Sequence, residues 1–216
     1  MLNVKNTFGI ILSVLLLSGC GKDTEIVTVK ESVPSTSVNE VTQIVSEKNN
    51  LNTAKGLAPI VPGLVCTLYN LQNVAPSPTV MPTSLSSPVI TVGSYILLGE
   101  FNQPNSSTND GLNVLPNTLR SLYKTNYMLR CSGYLVVTKN EYVSLSVTSD
   151  DASMLYINNS LMVDNNGLHG SQKRTGVRFM ERGVHSFRLD YLQANGNQHL
   201  VVEDSSGVVT SDRFWR

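Results

Sequence analysis

The sequence predicts an all-β fold, an antiparallel β-sandwich or barrel that follows a disordered N-terminal tether. Beyond residue 58 the chain consists of short runs of alternating apolar and polar residues, separated by turn signals at intervals, which favours a sandwich or barrel. Residues 20–57 are rich in Ser, Thr, Val, Glu, Lys and Asn and sustain no apolar periodicity, so we expect a flexible tether there. Residues 58–216 then fit one domain, against a prior of roughly 100–200 residues per domain.

Residues 1–19 have the features of a secretory signal peptide. The apolar run from Phe8 to Leu17 is too short for a membrane span, which needs about 20 apolar residues, and it stops at small residues. The motif Leu17-Ser18-Gly19-Cys20 resembles a bacterial lipobox, which implies that Cys20 is lipidated and anchors the protein to a membrane. Gly21 stands where an inner-membrane retention signal has Asp, so we expect an outer-membrane lipoprotein, periplasmic or surface-exposed. The alternative is an uncleaved, buried helix.

Two cysteines remain after Cys20, at positions 66 and 131. In an oxidising cell envelope an even pair is more often bridged than free, so we expect a disulfide between Cys66 and Cys131. No second cysteine or histidine stands at a metal-ligand spacing from either of them, which disfavours a metal site. The alternative is a pair of small buried residues that pack in adjacent strands.

The first half of the domain contains two predicted strands and a loop. Leu64 to Tyr69 follows a Pro-Gly turn signal and makes a plausible first strand. Val89 to Phe101 offers a second strand with a break at Gly93, after a proline-rich stretch that excludes a helix. Residues 102–113 are rich in Asn, Ser, Thr and Gly, and we expect a surface loop there.

The second half alternates more regularly. Tyr142 to Val147 has strict period two, and Met154 to Ile157 and Leu161 to Val163 form a hairpin around Asn158-Asn159-Ser160, because Asn tolerates positive φ. A later strand places Phe187, Leu189 and Tyr191 inward and Arg188 and Asp190 toward solvent. A last hairpin turns at residues 194–197.

Asp150 and Asp151 are the main candidate site, at the point where an alternating strand gives way to a turn. Neighbouring side chains of an ordinary strand point to opposite faces, so both carboxylates reach one ligand only through an unusual backbone, such as a cis peptide. A divalent cation that takes oxygens from both carboxylates would favour that arrangement. The alternative is two turn aspartates that bond local amides.

Several segments, in order, resemble the PA14 domain, named after anthrax protective antigen: residues 131–137, 149–157, 164–169 and 183–193. The resemblance is strongest over residues 128–203 and implies a β-sandwich or barrel. In lectin-like adhesins of this family, a cis Asp-Asp pair and a later loop hold calcium, and the calcium binds sugar hydroxyls. The resemblance therefore implies calcium ligands at Asp150, Asp151, Asn195 and Asn197, with Asp150 and Asp151 also binding the ligand.

The composition narrows the function classes. The net charge is zero and no basic stripe is present, so we expect no nucleic-acid partner. A glycosidase needs two carboxyls about 5–10 Å apart across a cleft, which adjacent aspartates do not provide, so we expect no enzyme. We expect a lipid-anchored envelope module that recognises carbohydrate or cell-envelope glycan through calcium. The alternative is a structural or protein-interaction lipoprotein without sugar binding.

Overall fold

The computed structural model describes residues 35–107 and 110–216. The predicted signal peptide, the lipidation site Cys20 and residues 20–34 of the predicted tether lie outside the described residues. No helix within the described part is long and apolar enough to cross a membrane.

The described chain is built mainly of strands. In chain order the elements are α1 (Ser35–Ala54), β1 (Leu64–Asn70), β2 (Ile90–Leu97), β3 (Asn102–Ser107), α2 (Asn117–Leu122), β4 (Tyr127–Val137), β5 (Glu141–Asp150), β6 (Ser153–Ile157), β7 (Ser160–Asn165), β8 (Gln172–Met180), β9 (Gly183–Gln193), β10 (Asn197–Asp204), β11 (Gly207–Val208), a 3-10 helix (Ser211–Arg213) and β12 (Phe214–Trp215).

Within the described residues the strands form two antiparallel sheets. Sheet A has the order β2-β1-β4-β9-β6-β7, with β12 also paired to β4, and sheet B has the order β11-β10-β5-β8, with β3 also paired to β10. The core contains apolar side chains from both sheets, so the sheets pack face to face. This confirms the predicted all-β sandwich.

The core follows the alternation seen in the sequence. Val143, Leu145 and Val147 of β5 are buried, and so are Leu189 and Tyr191 of β9 on the opposite sheet. Full burial of one such side chain stabilises the fold by roughly 1.5–3 kcal/mol. The alternating pattern therefore fixes which face of each strand turns inward.

Cys66 and Cys131 lie opposite each other in the ladder between β1 and β4 and are joined by a disulfide, with their Cα atoms 4.0 Å apart. Both side chains are buried in the core. The predicted bridge is confirmed, and it closes a loop with a sequence separation of 65.

Helix α1 corrects the predicted extent of the tether, because residues 35–54 are helical. Val41, Ile44 and Val45 have the i, i+3, i+4 spacing of one helix face, and they pack in a cluster that includes Val136 of sheet A. Asn49 accepts a hydrogen bond from the backbone amide of Ile60 (2.7 Å), which fixes the chain leaving the helix. The apolar stripe is only one turn long, which is why sequence periodicity did not reveal it.

Two further expectations change. Residues 102–107, predicted as part of a loop, form β3 and pair with β10. Asp190 does lie on the outer face of sheet A, but it is buried rather than in solvent, because the Arg130 side chain covers it.

The predicted hairpin at Asn158 and Asn159 is confirmed, with φ of 51° and 61°.

The register of β4 and β9 defines two ends of the sandwich. At one end Tyr127 pairs with Gln193, next to the 194–197 turn, and at the other Val137 pairs with Gly183, next to the residues that contact α1. We call these the aspartate end and the helix end. Strand β4 has 11 residues, which separates the ends by roughly 33 Å.

Candidate functional site

The aspartate pair, Asp150 and Asp151, lies where the chain crosses from sheet B to sheet A. Asp150 is the last residue of β5, and β6 begins at Ser153. The peptide bond between Asp150 and Asp151 is cis, which is one of the two alternatives that the sequence left open. Both residues are largely buried, at 6% and 7% exposed.

Asp151 holds the 194–197 turn through backbone amides. Its Oδ2 accepts hydrogen bonds from the amides of Ala194 (2.9 Å) and Asn195 (3.4 Å). Gly196 sits in this turn at φ +77°, a region that favours glycine. The structure thus brings together the aspartate pair and the turn that carries Asn195 and Asn197. Because these bonds use Oδ2, they leave Oδ1 for another ligand.

Asp150 faces a different group of residues. It pairs across the ladder with His199 of β10. Burial raises the pKa of Asp150 above its ordinary value, and the neighbouring charge of Asp151 raises it further, while His169 and the Ser171 amide lower it. Among the described residues, no salt bridge reaches Asp150 or Asp151. The pair is therefore a concentration of negative charge that the surrounding protein does not neutralise.

Buried polar side chains of β9 form hydrogen bonds with the backbone of the site. The Tyr191 hydroxyl lies 2.6 Å from the backbone oxygen of Asp150 and 2.5 Å from Oε1 of Gln193, so its single hydrogen is shared between two acceptors. Gln193 Nε2 donates to the backbone oxygens of Asn195 (3.0 Å) and Asn197 (2.9 Å). Sequence reasoning missed Gln193. The available signal was that the inward period-two face of β9 ends on a polar residue.

A third segment, the 166–171 loop between β7 and β8, also borders the site and was absent from the predicted ligand set. His169 lies with Nε2 3.1 Å from the Asn165 backbone oxygen, and the Ser171 hydroxyl lies 2.6 Å from Nδ1 of His199. Asn165 donates from Nδ2 to Ser149 (2.8 Å), while its buried Oδ1 has no partner in the described part of the chain. The aspartate pair is thus bordered by two loops.

The donor set suits a hard cation. Calcium takes six to eight oxygen ligands from carboxylates, amides, backbone carbonyls and water. The aspartate pair supplies carboxylate oxygens, and Asn195 and Asn197 have exposed side chains at the adjoining turn. No cluster of three or more His, Cys, Asp or Glu that would hold a metal occurs in the described residues, so a cation here also needs amide, backbone or water oxygens. The residues present fit calcium on those terms.

A protein-family model matches most of the chain. The family model described as the PA14 domain matches residues 62–212. No curated protein sequence matches the chain.

Three solved structures share the fold. The PA14 domain of the antifreeze protein MpAFP is 12% identical, with 72% of this chain and 91% of that chain covered and a TM-score of 0.59. A PA14 sugar-binding domain from an RTX adhesin is 17% identical, with 71% and 98% covered and a TM-score of 0.55. An anti-sigma factor domain-containing protein is 16% identical, with 71% of this chain covered and a TM-score of 0.53; the match spans 47% of that protein's length.

Proposed function

The chain belongs to the PA14 domain family, and on that basis we propose that it is a carbohydrate-binding or adhesion module whose site is the aspartate pair. The observation that carries the proposal is the buried Asp150–Asp151 pair, which borders the 194–197 turn and the 166–171 loop and has no salt bridge among the described residues. Two buried carboxylates on adjacent residues favour a bound cation because it offsets their mutual repulsion.

Calcium is the cation that the oxygen donors suit. Asp150, Asp151 and the side chains of Asn195 and Asn197 would hold it, and a calcium ion there would offer exchangeable coordination positions to neighbouring sugar hydroxyls. The chain's own residues position the turn that carries these asparagines. Asp151 and Gln193 fix the turn through its amides and carbonyls, so the asparagines are presented from an ordered backbone.

The RTX adhesin domain that shares the fold is described as a sugar-binding domain, which is consistent with the proposal. At this level of identity the likeness supports the fold, and the assignment of a sugar rests on the site.

Lipidation at Cys20 and an outer-membrane location complete the proposal. Helix α1 packs against the helix end, roughly 33 Å from the aspartate pair along the strands.

One observation favours a second function. Asp151 Oδ2 already accepts two backbone amides, as a turn aspartate in a structural or protein-interaction domain would. In that case the aspartates only fix the 194–197 turn.

Calcium calorimetry and thermal melting decide between the two functions. The proposal expects binding heat and a melting temperature that rises with calcium and falls with chelator, and it expects both effects to be lost in Asp150→Asn and Asp151→Asn. Asp212→Asn, at an exposed position, is the matched control. Retention on immobilised glycans in calcium, released by chelator, tests the sugar. No heat and no change in melting would leave the structural function.

A further inference from the structure

A second concave surface lies on the outer face of sheet A, away from the aspartate pair. Two adjoining cavities of about 360 and 460 Å³ share Tyr134 and Arg216 as walls, and together they form one groove. The groove passes from Arg188 and Tyr156 on sheet A to Lys48 on α1. We call it the cationic groove.

Cross-strand register explains why the surface is hollow here. Val65, Ser132, Arg188 and Tyr156 form one row across β1, β4, β9 and β6. In the next row Tyr134 pairs with Ser186. The serines leave a low floor between larger side chains, because neighbouring residues of a row point to the same face.

Arg188 is held in place but makes no hydrogen bond. Its guanidinium carbon lies 3.8 Å from the centroid of the Tyr156 ring, and its Nε lies 3.5 Å from Asp190 Oδ2. Asp190 is already engaged by Arg130 through two bonds of 2.7 and 2.8 Å. Among the described residues no acceptor bonds to Arg188; its Nε is buried beside Asp190, so only the terminal amino groups of the guanidinium can reach a ligand in the groove.

The lining carries one sign of charge. Arg188, Arg216 and Lys48 line the groove, and among its described lining residues none is Asp or Glu. A guanidinium pairs best with a planar carboxylate, which it can bind through two parallel hydrogen bonds. The electrostatics therefore select an anionic ligand, and three cationic side chains spread over two adjoining cavities suit one that carries several charges.

The uncharged lining residues indicate which groups the ligand carries besides its negative charges. The rings of Tyr134 and Tyr156 offer apolar surface with a polar rim, and Ser132, Ser186 and Asn159 offer hydroxyl and amide groups. We propose that the cationic groove binds an acidic saccharide of the polyuronate class, with Arg188 pairing one carboxylate and Arg216 and Lys48 pairing others. This site needs no calcium and is independent of the aspartate pair.

Calorimetry with tetragalacturonate, performed in chelator, tests the proposal. We expect saturable binding that weakens at least tenfold in Arg188→Gln and at least tenfold when the probe is replaced by its methyl ester, which keeps the shape and removes the charge. Ser132→Tyr, which fills the floor, should weaken binding to a similar extent. Arg174→Gln, an exposed arginine of β8 outside the groove, is the matched control and should bind as the parent does.

Four results would overturn the proposal. Unchanged affinity in both Arg188→Gln and Ser132→Tyr would place the ligand elsewhere. Equal weakening by Arg174→Gln would mean non-specific charge attraction. Equal affinity for a tetraglutamate peptide would mean that the groove selects charge without a sugar. Calcium-dependent binding of the probe would assign it to the aspartate pair, and the chelator separates that case from failure of the calcium site itself.

Discussion

Asp190 and Asp150 are both buried carboxylates, at 1% and 6% exposed, but the protein treats them in opposite ways. Asp190 receives two hydrogen bonds from Arg130 and has Arg188 beside it. Asp150 has another carboxylate beside it and, among the described residues, no basic salt-bridge partner. A buried charge is costly unless it is paired. The chain itself pairs Asp190, whereas our proposal is that a cation from solution pairs Asp150.

The largest expected effect comes from the disulfide, which joins two strands of sheet A, the sheet that also contains Asp190. Replacing Cys66 and Cys131 together by Ala should lower the free energy of unfolding by about 4 kcal/mol, the chain-entropy value for a loop of this length. Urea denaturation measures it. Because the bridge joins β1 to β4 within sheet A, the calcium-dependent rise in melting temperature should survive. Loss of that rise would mean that the two regions are coupled.

Removing the partner of Asp190 should have the next largest effect. Arg130→Met leaves Asp190 buried without its main partner and should cost about 3 kcal/mol, at the low end for a broken buried pair because Arg130 is partly exposed. The double variant Arg130→Met with Asp190→Leu should recover most of that loss in the same urea experiment. A single variant as stable as the parent would show that Arg188 alone satisfies Asp190.

The two members of the aspartate pair should respond differently in chelator. Asp151→Ala leaves the Ala194 amide without its acceptor and should cost about 1–2 kcal/mol. Thermal melting, checked by urea denaturation, measures the loss. A variant as stable as the parent would show that the turn keeps its geometry without Asp151.

Asp150→Asn should have the smallest effect in chelator and should be neutral or slightly stabilising. The raised pKa of Asp150 means that ionisation is disfavoured in the folded state, and the neutral amide of asparagine removes that cost. In the parent, the contribution of Asp150 is present below the unfolded pKa and is lost as the pH rises through the folded pKa, whereas in Asp150→Asn that loss should be absent. Thermal melting of the parent and of Asp150→Asn, in chelator and at a series of acidic pH values, measures both the stability difference and its pH dependence. Clear destabilisation at neutral pH would show that the charge itself is structurally required.

The sequence predicted the parts of this comparison that depend on local pattern. Alternation identified the inward faces of β5 and β9, and the adjacent aspartates offered a cis peptide as one of two alternatives. It did not show that Asp190 is buried, because Arg130 is brought over it only by pairing of β4 with β9, 60 residues apart in sequence. The groove was missed for the same reason, since Ser132 and Ser186 form a floor only in the assembled sheet.

Polar segments caused the remaining errors. Residues 102–107 contain Asn, Gln, Pro and Ser, which are typical of loops, yet they form β3 because β10 provides a partner for their backbone groups. Gln193 and Asn165 are buried because each bonds backbone or side-chain groups brought near by the fold. Tertiary hydrogen bonding, which a linear pattern does not record, decided these positions.

The docking of α1 has a mechanical consequence. The helix is held on the sandwich by a small apolar cluster and an exposed ion pair between Glu47 and Arg182, whereas strands within each sheet are joined by hydrogen-bond ladders and β1 and β4 also by a disulfide. A load pulling on the N-terminus would therefore peel the helix away before it sheared the strands. Once detached, the helix of 20 residues could unfold and lengthen from about 30 Å to about 70 Å. The N-terminal connection could then extend by roughly 40 Å under tension while the folded site stays intact.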